Sequence, residues 1–256
     1  MRRMNGWMSL SPQPRIPRGN LQTYCAKPHP TKTIDFHRVL CYTDGEQWSG
    51  MCTTFCSFFT HSRKRRECYL DKLYTTFLDS PVIAAAKEEN GLTRALNSDC
   101  RVVFLLFGSM VTLEALVCRI HQAGKLCLVH MDLIDGFSNR EAAVDGLVQI
   151  CHPDGIISTR IPLVRRAQQL GLVGVLRAFL LDSLSIAALL QQLEAARPDY
   201  IEVLPGILPS VILEIAGKTP IPLIAGGLIR SKQDVIQALQ AGVAAVSTSS
   251  PQVWKL

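Results

Sequence analysis

Gly226 and Gly227, together with Ser247, Thr248 and Ser249 further along, are the residues of this chain best suited to holding an anion. Each group ends an apolar run, Pro222-Leu-Ile-Ala-Gly-Gly-Leu-Ile229 and Val243-Ala-Ala-Val-Ser-Thr-Ser-Ser250. A glycine carries no Cβ, so an anion can approach its amide closely, and the serines and threonine add hydroxyl donors. Between the runs, Ser231 to Gly242 places apolar residues at 235, 236 and 239, the spacing of a helix closed by glycine. The order is strand, glycine pair, helix, strand, hydroxyl cluster. In a (β/α) barrel such a pair of loops forms a phosphate cradle from converging amides. A tight turn followed by a polar loop is the plainer alternative.

The rest of the chain supplies the scaffold. From Pro81 onward, apolar runs at 81–86, 102–107, 126–131, 155–159, 172–181, 200–204, 222–226 and 243–248 alternate with helical patterns, among them 110–123, 138–151, 183–196, 208–216 and 231–241. Alternation of this kind implies a parallel sheet covered by helices. Eight units over residues 80–256 predict a small TIM-type (β/α)8 barrel, with an open doubly wound sheet as the structural alternative.

Residues 1–79 read differently, as an irregular, largely disordered basic extension. Prolines at 12, 14, 17, 28 and 30 interrupt it, and residues 1–80 hold 12 Lys+Arg against 6 Asp+Glu. The remaining 15 basic and 15 acidic residues cancel, so the whole net charge of +6 lies in the first third. The clean start of regular patterning near Ser80 leads to the expectation that translation begins downstream of Met1. Cys52, Cys56 and His61 lack a second ligand pair at zinc spacing, so no metal site is expected. The basic run Arg63-Lys-Arg-Arg66 is read as a solvated charge run before a nucleic-acid contact. Nine cysteines, an odd number, with no apolar signal core after Met1, point to a reducing cytoplasm. Cys118 and Cys127 fall in apolar patterns that predict buried thiols. No apolar run reaches the roughly 18 residues of a membrane span.

Function in a barrel concentrates where strands end. Those positions hold Lys87, Phe107-Gly-Ser109, His130 with Asp132 and Asp135, Ser158-Thr-Arg160, Arg177, and Glu202. Asp132 and Glu202 are candidates for acid–base work or for hydrogen bonding the hydroxyls of a small polyol. Arg177, amid an apolar strand, is expected to pair with a buried carboxylate or reach a ligand. Lys87 is the only lysine at a strand end, and so the only candidate for a Schiff base.

Residues 81–256 also resemble a known family, the glycerol-3-phosphate-responsive antiterminator (GlpP) proteins of bacterial glycerol operons. The resemblance is carried by Pro81-Val-Ile-Ala-Ala-Ala-Lys87, Asp99-Cys-Arg-Val-Val-Phe-Leu-Leu-Phe-Gly108, Val129-His-Met-Asp-Leu-Ile-Asp-Gly136 and Asp154-Gly-Ile-Ile-Ser-Thr-Arg160. It continues through Arg177-Ala-Phe-Leu-Leu-Asp-Ser183, Glu202-Val-Leu-Pro-Gly206, Ile224-Ala-Gly-Gly-Leu-Ile229 and Ser247-Thr-Ser249 with Trp254 behind. Met131 and Ala178 depart from the family's usual side chains. The resemblance implies a cytoplasmic, cofactor-free barrel that binds glycerol 3-phosphate as effector, without turnover, and then stabilises an antiterminated leader mRNA.

On this reading the ligand site comprises Gly226, Gly227, Ser247, Thr248, Ser249, Asp132, Glu202 and Arg177, with no catalytic residue. RNA affinity rests mostly on phosphate neutralisation, which selects Arg160, Arg165 and Arg166 as the RNA-binding candidates. A solvated helix face is their plainer reading. A homodimer formed near the strand-end loops is a further expected partner. A phosphosugar lyase or isomerase using Asp132 and Glu202 is the competing function.

Overall fold

The computed structural model describes residues 50–255, with side chains from Ser62 onward. Eight parallel strands close into one barrel in sequence order: β1 (Val82–Ala86), β2 (Val102–Leu105), β3 (Leu126–His130), β4 (Gly155–Ser158), β5 (Val173–Phe179), β6 (Tyr200–Leu204), β7 (Leu223–Gly226) and β8 (Ala245–Thr248). β8 pairs back onto β1, Ile83 opposite Ser247, so no strand edge is left open. The open-sheet alternative is thereby excluded. Every strand falls inside a run expected from sequence, because strands buried on both faces read as unbroken apolar runs.

The helices are α1 (Gly50–Asp79), α2 (Glu89–Leu96), α3 (Leu113–Gln122), α4 (Glu141–Cys151), α5 (Ile161–Gln169), α6 (Ser183–Ala196), α7 (Pro209–Ala216) and α8 (Lys232–Gln240). Local signals set their starts. Pro162 and Pro209 occupy the first turns of α5 and α7, where a missing N–H costs nothing. Asp182 with Ser185, and Ser231 with Asp234, form capping boxes that open α6 and α8.

Side-chain alternation divides the core in two. Residues facing outward from the strands, such as Ala84, Val103, Val129, Ile156, Ile201 and Val246, pack against the helices. Those facing inward, including Ile83, Phe104, Leu128, Ile157, Val175 and Ile224, fill the barrel. The lumen is therefore a packed core at mid-height.

The lower end corrects one expectation. Residues 50–79, read as irregular, form the 30-residue helix α1. Tyr69, Leu70, Leu73 and Phe77 stand at helical spacing, and Leu73 and Phe77 enter the inner core. The Phe77 ring meets Tyr200 edge-on, with centroids 5.5 Å apart and planes at 90°. Leu126, Val102 and Val173, the first residues of their strands, belong to the same cluster. α1 therefore closes the bottom of the barrel, and it stops where Pro81 ends helical backbone.

The basic run is corrected with it. Arg66 makes a forked ion pair with Asp199, which is itself 4% exposed and also accepts the Gly174 amide. Arg63 pairs with Glu67 on the exposed face, and Arg65 lies over the Tyr69 ring. Residues 1–49 lie outside the described residues, as do the side chains of Cys52, Cys56 and His61. Cys127 is buried as expected, but Cys118 is exposed on α3, one position off the apolar stripe of Leu116, Val117 and Ile120. Among the described residues, no helix is long and apolar enough to cross a membrane.

Candidate functional site

A cleft of about 510 Å³ opens at the carboxyl ends of the strands. Its lining runs from Ala85, Lys87 and Leu106 across Arg177, Glu202 and Leu204 to the loops Gly227–Arg230 and Ser247–Gln252. The formal charge of this lining is three cations, Lys87, Arg177 and Arg230, against one carboxylate, Glu202, hence +2.

The floor is built by alternation on β5, β6 and β8, which point Arg177, Glu202 and Ser247 into the lumen. Ser247 Oγ donates to Glu202 Oε1 at 2.6 Å. Arg177 Nε stands 3.6 Å from Glu202 Oε2, close enough for an ion pair and too far for a hydrogen bond. His130, inward-facing at the end of β3, is 3% exposed. Among the described residues, three buried side-chain atoms have no hydrogen-bond partner: His130 Nδ1, Arg177 Nε and Glu202 Oε2. Leaving such atoms unsatisfied costs about 1–3 kcal/mol each. Arg177 and Glu202 line the cleft floor, where a hydroxylated ligand could satisfy them, and His130 lies close enough for the Arg177 charge to act on it.

The electrostatics follow from burial. Desolvation raises the Glu202 carboxyl above its ordinary range, while Arg177 and the Ser247 hydroxyl pull it back. Burial, and next the Arg177 charge, push His130 down to about 4. His130 is therefore a neutral imidazole at physiological pH.

The two glycines have different tasks. A Cβ on Gly226 would lie 2.5 Å from Glu202 Oε1 and 2.9 Å from Ser247 Oγ, so Gly226 is the space that this hydrogen bond occupies. Gly227 lines the cleft with a φ of +74°, and a Cβ there would press on Leu204 at 3.1 Å. Thr248 faces away from the lumen: its hydroxyl donates to Ile229 O and accepts the Ser250 amide, tying the β7 and β8 loops together. Trp254 Nε1 donates to Thr248 O and holds the same loop from behind. Ser249 is exposed on the rim.

The remaining expected site residues divide. Asp132, in the turn after β3, accepts from Ser158 Oγ on Oδ1 and from the Thr159 amide and hydroxyl on Oδ2. It fastens the β3 and β4 loops to each other and is not part of the cleft lining. Arg160 lies 4.0 Å from Asp132 with half its side chain exposed. Arg165 donates to Ala195 O, and Arg166 forks onto Asp145 at 2.5 Å and 3.0 Å. Both α5 arginines thus already hold protein partners.

Sequence reasoning did not place Arg230, Leu204, Leu106 or Gln252 at the site. The signal for Arg230 was present, since it follows directly on the glycine-containing loop. Its amide and that of Ser231 both donate to Asp234 Oδ2, which fixes the backbone beside the cleft and lowers the Asp234 carboxyl.

A closed parallel barrel with a basic cleft at the carboxyl ends of its strands defines a TIM-type (β/α)8 protein with its candidate site in the usual place. The comparisons with known proteins narrow it. Residues 82–254 match the family model described as glycerol-3-phosphate responsive antiterminator, and the chain belongs to that family. The uncharacterized protein YgcP of Escherichia coli (strain K12) is 38% identical over 177 residues, which are 69% of this chain and 93% of that protein. Two solved structures share the fold at useful identity. The glycerol uptake operon antiterminator regulatory protein of Listeria monocytogenes is 35% identical with a TM-score of 0.66, over 68% of this chain and 94% of that one. A glycerol uptake operon antiterminator-related protein of Thermotoga maritima is 30% identical with a TM-score of 0.63, over 69% and 99%.

Proposed function

We propose that the cleft binds glycerol 3-phosphate as an effector and that the bound form engages the leader mRNA of a glycerol operon in the cytoplasm. The observation that carries this reading is a cleft of net charge +2 whose floor holds an ion pair, Arg177 Nε to Glu202 Oε2, in which neither atom has a hydrogen-bond partner. A phosphate monoester brings about −1.5 to −2 charge at neutral pH, which complements that charge. The phosphate goes to the Gly227 and Ser249 side, beside Arg230. The glycerol hydroxyls go to the Glu202 carboxylate and the Arg177 guanidinium, both of which line the cleft. Ser247 fixes the carboxylate, and Gly226 leaves room for it.

The ligand is bound and released unchanged. A lyase or isomerase working through Asp132 and Glu202 is disfavoured, because Asp132 is already held by three donors outside the cleft. On the RNA side, Arg160 is half exposed and only loosely paired with Asp132 at 4.0 Å, whereas RNA phosphates would have to compete with the close Asp145 partner for Arg166.

Calorimetry tests the ligand. Glycerol 3-phosphate should bind at least about tenfold more tightly than glycerol or inorganic phosphate. Equal affinity for phosphate alone would leave no role for the Glu202–Arg177 floor. Incubation with glycerol 3-phosphate or dihydroxyacetone phosphate should return each unchanged, and steady product formation would restore the enzyme reading. Binding to an RNA should rise when glycerol 3-phosphate is added, and the RNA should raise glycerol 3-phosphate affinity by the same factor.

A further inference from the structure

Phe179 is half exposed at the rim of the barrel mouth, two residues beyond Arg177 on the same inward side of β5. The Arg177 guanidinium lies over its ring, 5.5 Å from the centroid. Arg177 thus touches two things at once, the carboxylate at the cleft floor and an aromatic ring at the surface. Tyr74, on α1 at the other end of the barrel, is the only other aromatic among the described residues to show as large an exposed fraction. Leu181 and Leu184, 84% and 77% exposed, continue the apolar strip from Phe179 into α6. Arg160 extends from β4, the strand paired with β5, where Ser158 stands opposite Leu176.

We infer that Phe179 is a stacking platform for an unpaired RNA base, and that Arg177 links its occupancy to the ligand cleft. The inference rests on the proposed antiterminator reading and names its contact. An exposed ring beside a cation is the chemistry that proteins use for single-stranded RNA, because every base presents a π face and the neighbouring charge meets the phosphate. A duplex would not fit this platform, since its bases are already stacked. Glycerol 3-phosphate, by supplying hydroxyls and charge to Arg177 and Glu202, changes how the guanidinium sits over the ring. A cation over an aromatic face is worth enough to bias the ring's position. Ligand and RNA base then share one arginine.

The test uses the full chain and an RNA enriched from a random-sequence pool in the presence of glycerol 3-phosphate. Phe179→Ala should weaken RNA binding by roughly 5- to 150-fold, the range for losing one stacked base. Phe179→Trp should restore it. Ultraviolet crosslinking should yield a nucleotide-bearing peptide that contains Phe179. Glycerol 3-phosphate affinity of the RNA-free Phe179→Ala protein should stay within about twofold, which separates a surface contact from a damaged cleft. RNA binding by Phe179→Ala within about twofold of wild type would overturn the inference and leave the antiterminator reading standing. Loss of self-association in Phe179→Ala with RNA binding intact would assign the strip to a second copy of the chain and overturn it as well. Failure of the wild-type protein to enrich any RNA would overturn both.

Discussion

Ser247 and Glu202, on strands two apart in the barrel, are joined by a 2.6 Å hydrogen bond that passes over the vacant side-chain position of Gly226 on the strand between them. Three strand ends thus cooperate to hold one buried carboxylate, whose second oxygen faces Arg177 Nε without a hydrogen bond. Burial raises the Glu202 carboxyl, and the Ser247 hydroxyl is one of two groups that counter it.

Ser247→Ala should remove one of those two groups and leave Oε1 unsatisfied, a loss of about 1–3 kcal/mol. The sign of the pH effect follows. A carboxyl raised on folding binds protons more readily in the folded state, so its share of stability declines as pH rises from the ordinary carboxylate value through the raised one. In Ser247→Ala that decline should extend to higher pH. Thermal melts of both proteins between mildly acidic and neutral pH would show it, and superimposable profiles would remove Ser247 from this role.

Gly226→Ala should displace the carboxylate, because its Cβ would meet Glu202 Oε1 at 2.5 Å. The strain is expected to cost about 1–3 kcal/mol. Glycerol 3-phosphate affinity should fall with it, by calorimetry, even where the variant remains folded. A variant with wild-type affinity would place the polyol away from Glu202.

His130 gives a second pH signature of opposite slope. Its ring stays neutral down to about 4 when folded, against an ordinary value near 6.5. Above pH 6.5 both states are neutral and nothing is lost. As pH falls from 6.5 to about 4 the unfolded chain takes up the proton first, and stability should drop by something on the order of 3 kcal/mol. His130→Gln should flatten the profile in that window, measured by urea denaturation. Retention of the full slope would point to other groups.

Phe77→Ala should open a cavity beneath Tyr200 and destabilise the protein by about 3–5 kcal/mol. Arg66→Ala should also destabilise it by stranding Asp199, which is buried and would keep only the Gly174 amide. Wild-type denaturation midpoints for both variants would mean that α1 does not close the barrel in solution.

Much of this architecture is legible without coordinates. The strands are apolar runs of the right length because parallel barrel strands are buried on both faces, and the helices between them carry their own caps and glycines. Gly227 and Ser249, which line the cleft, were picked out because small residues ending an apolar run suit close approach of an anion, although a tight turn with a polar loop carries the same signal. α1 was missed although Leu70, Leu73 and Phe77 stand at helical spacing, since the basic run and the upstream prolines obscured a stripe that only the barrel floor needs. What tertiary structure alone decided is which polar groups are free. Asp132 and Glu202 look alike in sequence, yet closure of the barrel gives Asp132 three donors from β4 and its loop and buries Glu202 with one oxygen lacking a hydrogen bond. Arg166 and Arg177 differ in the same way, one held by Asp145 on the outside and one reaching into the lumen. Local sequence sets which elements form, because periodicity and capping act over a few residues. The partner of a charge is set by segments distant in the chain, and only the closed barrel brings those together.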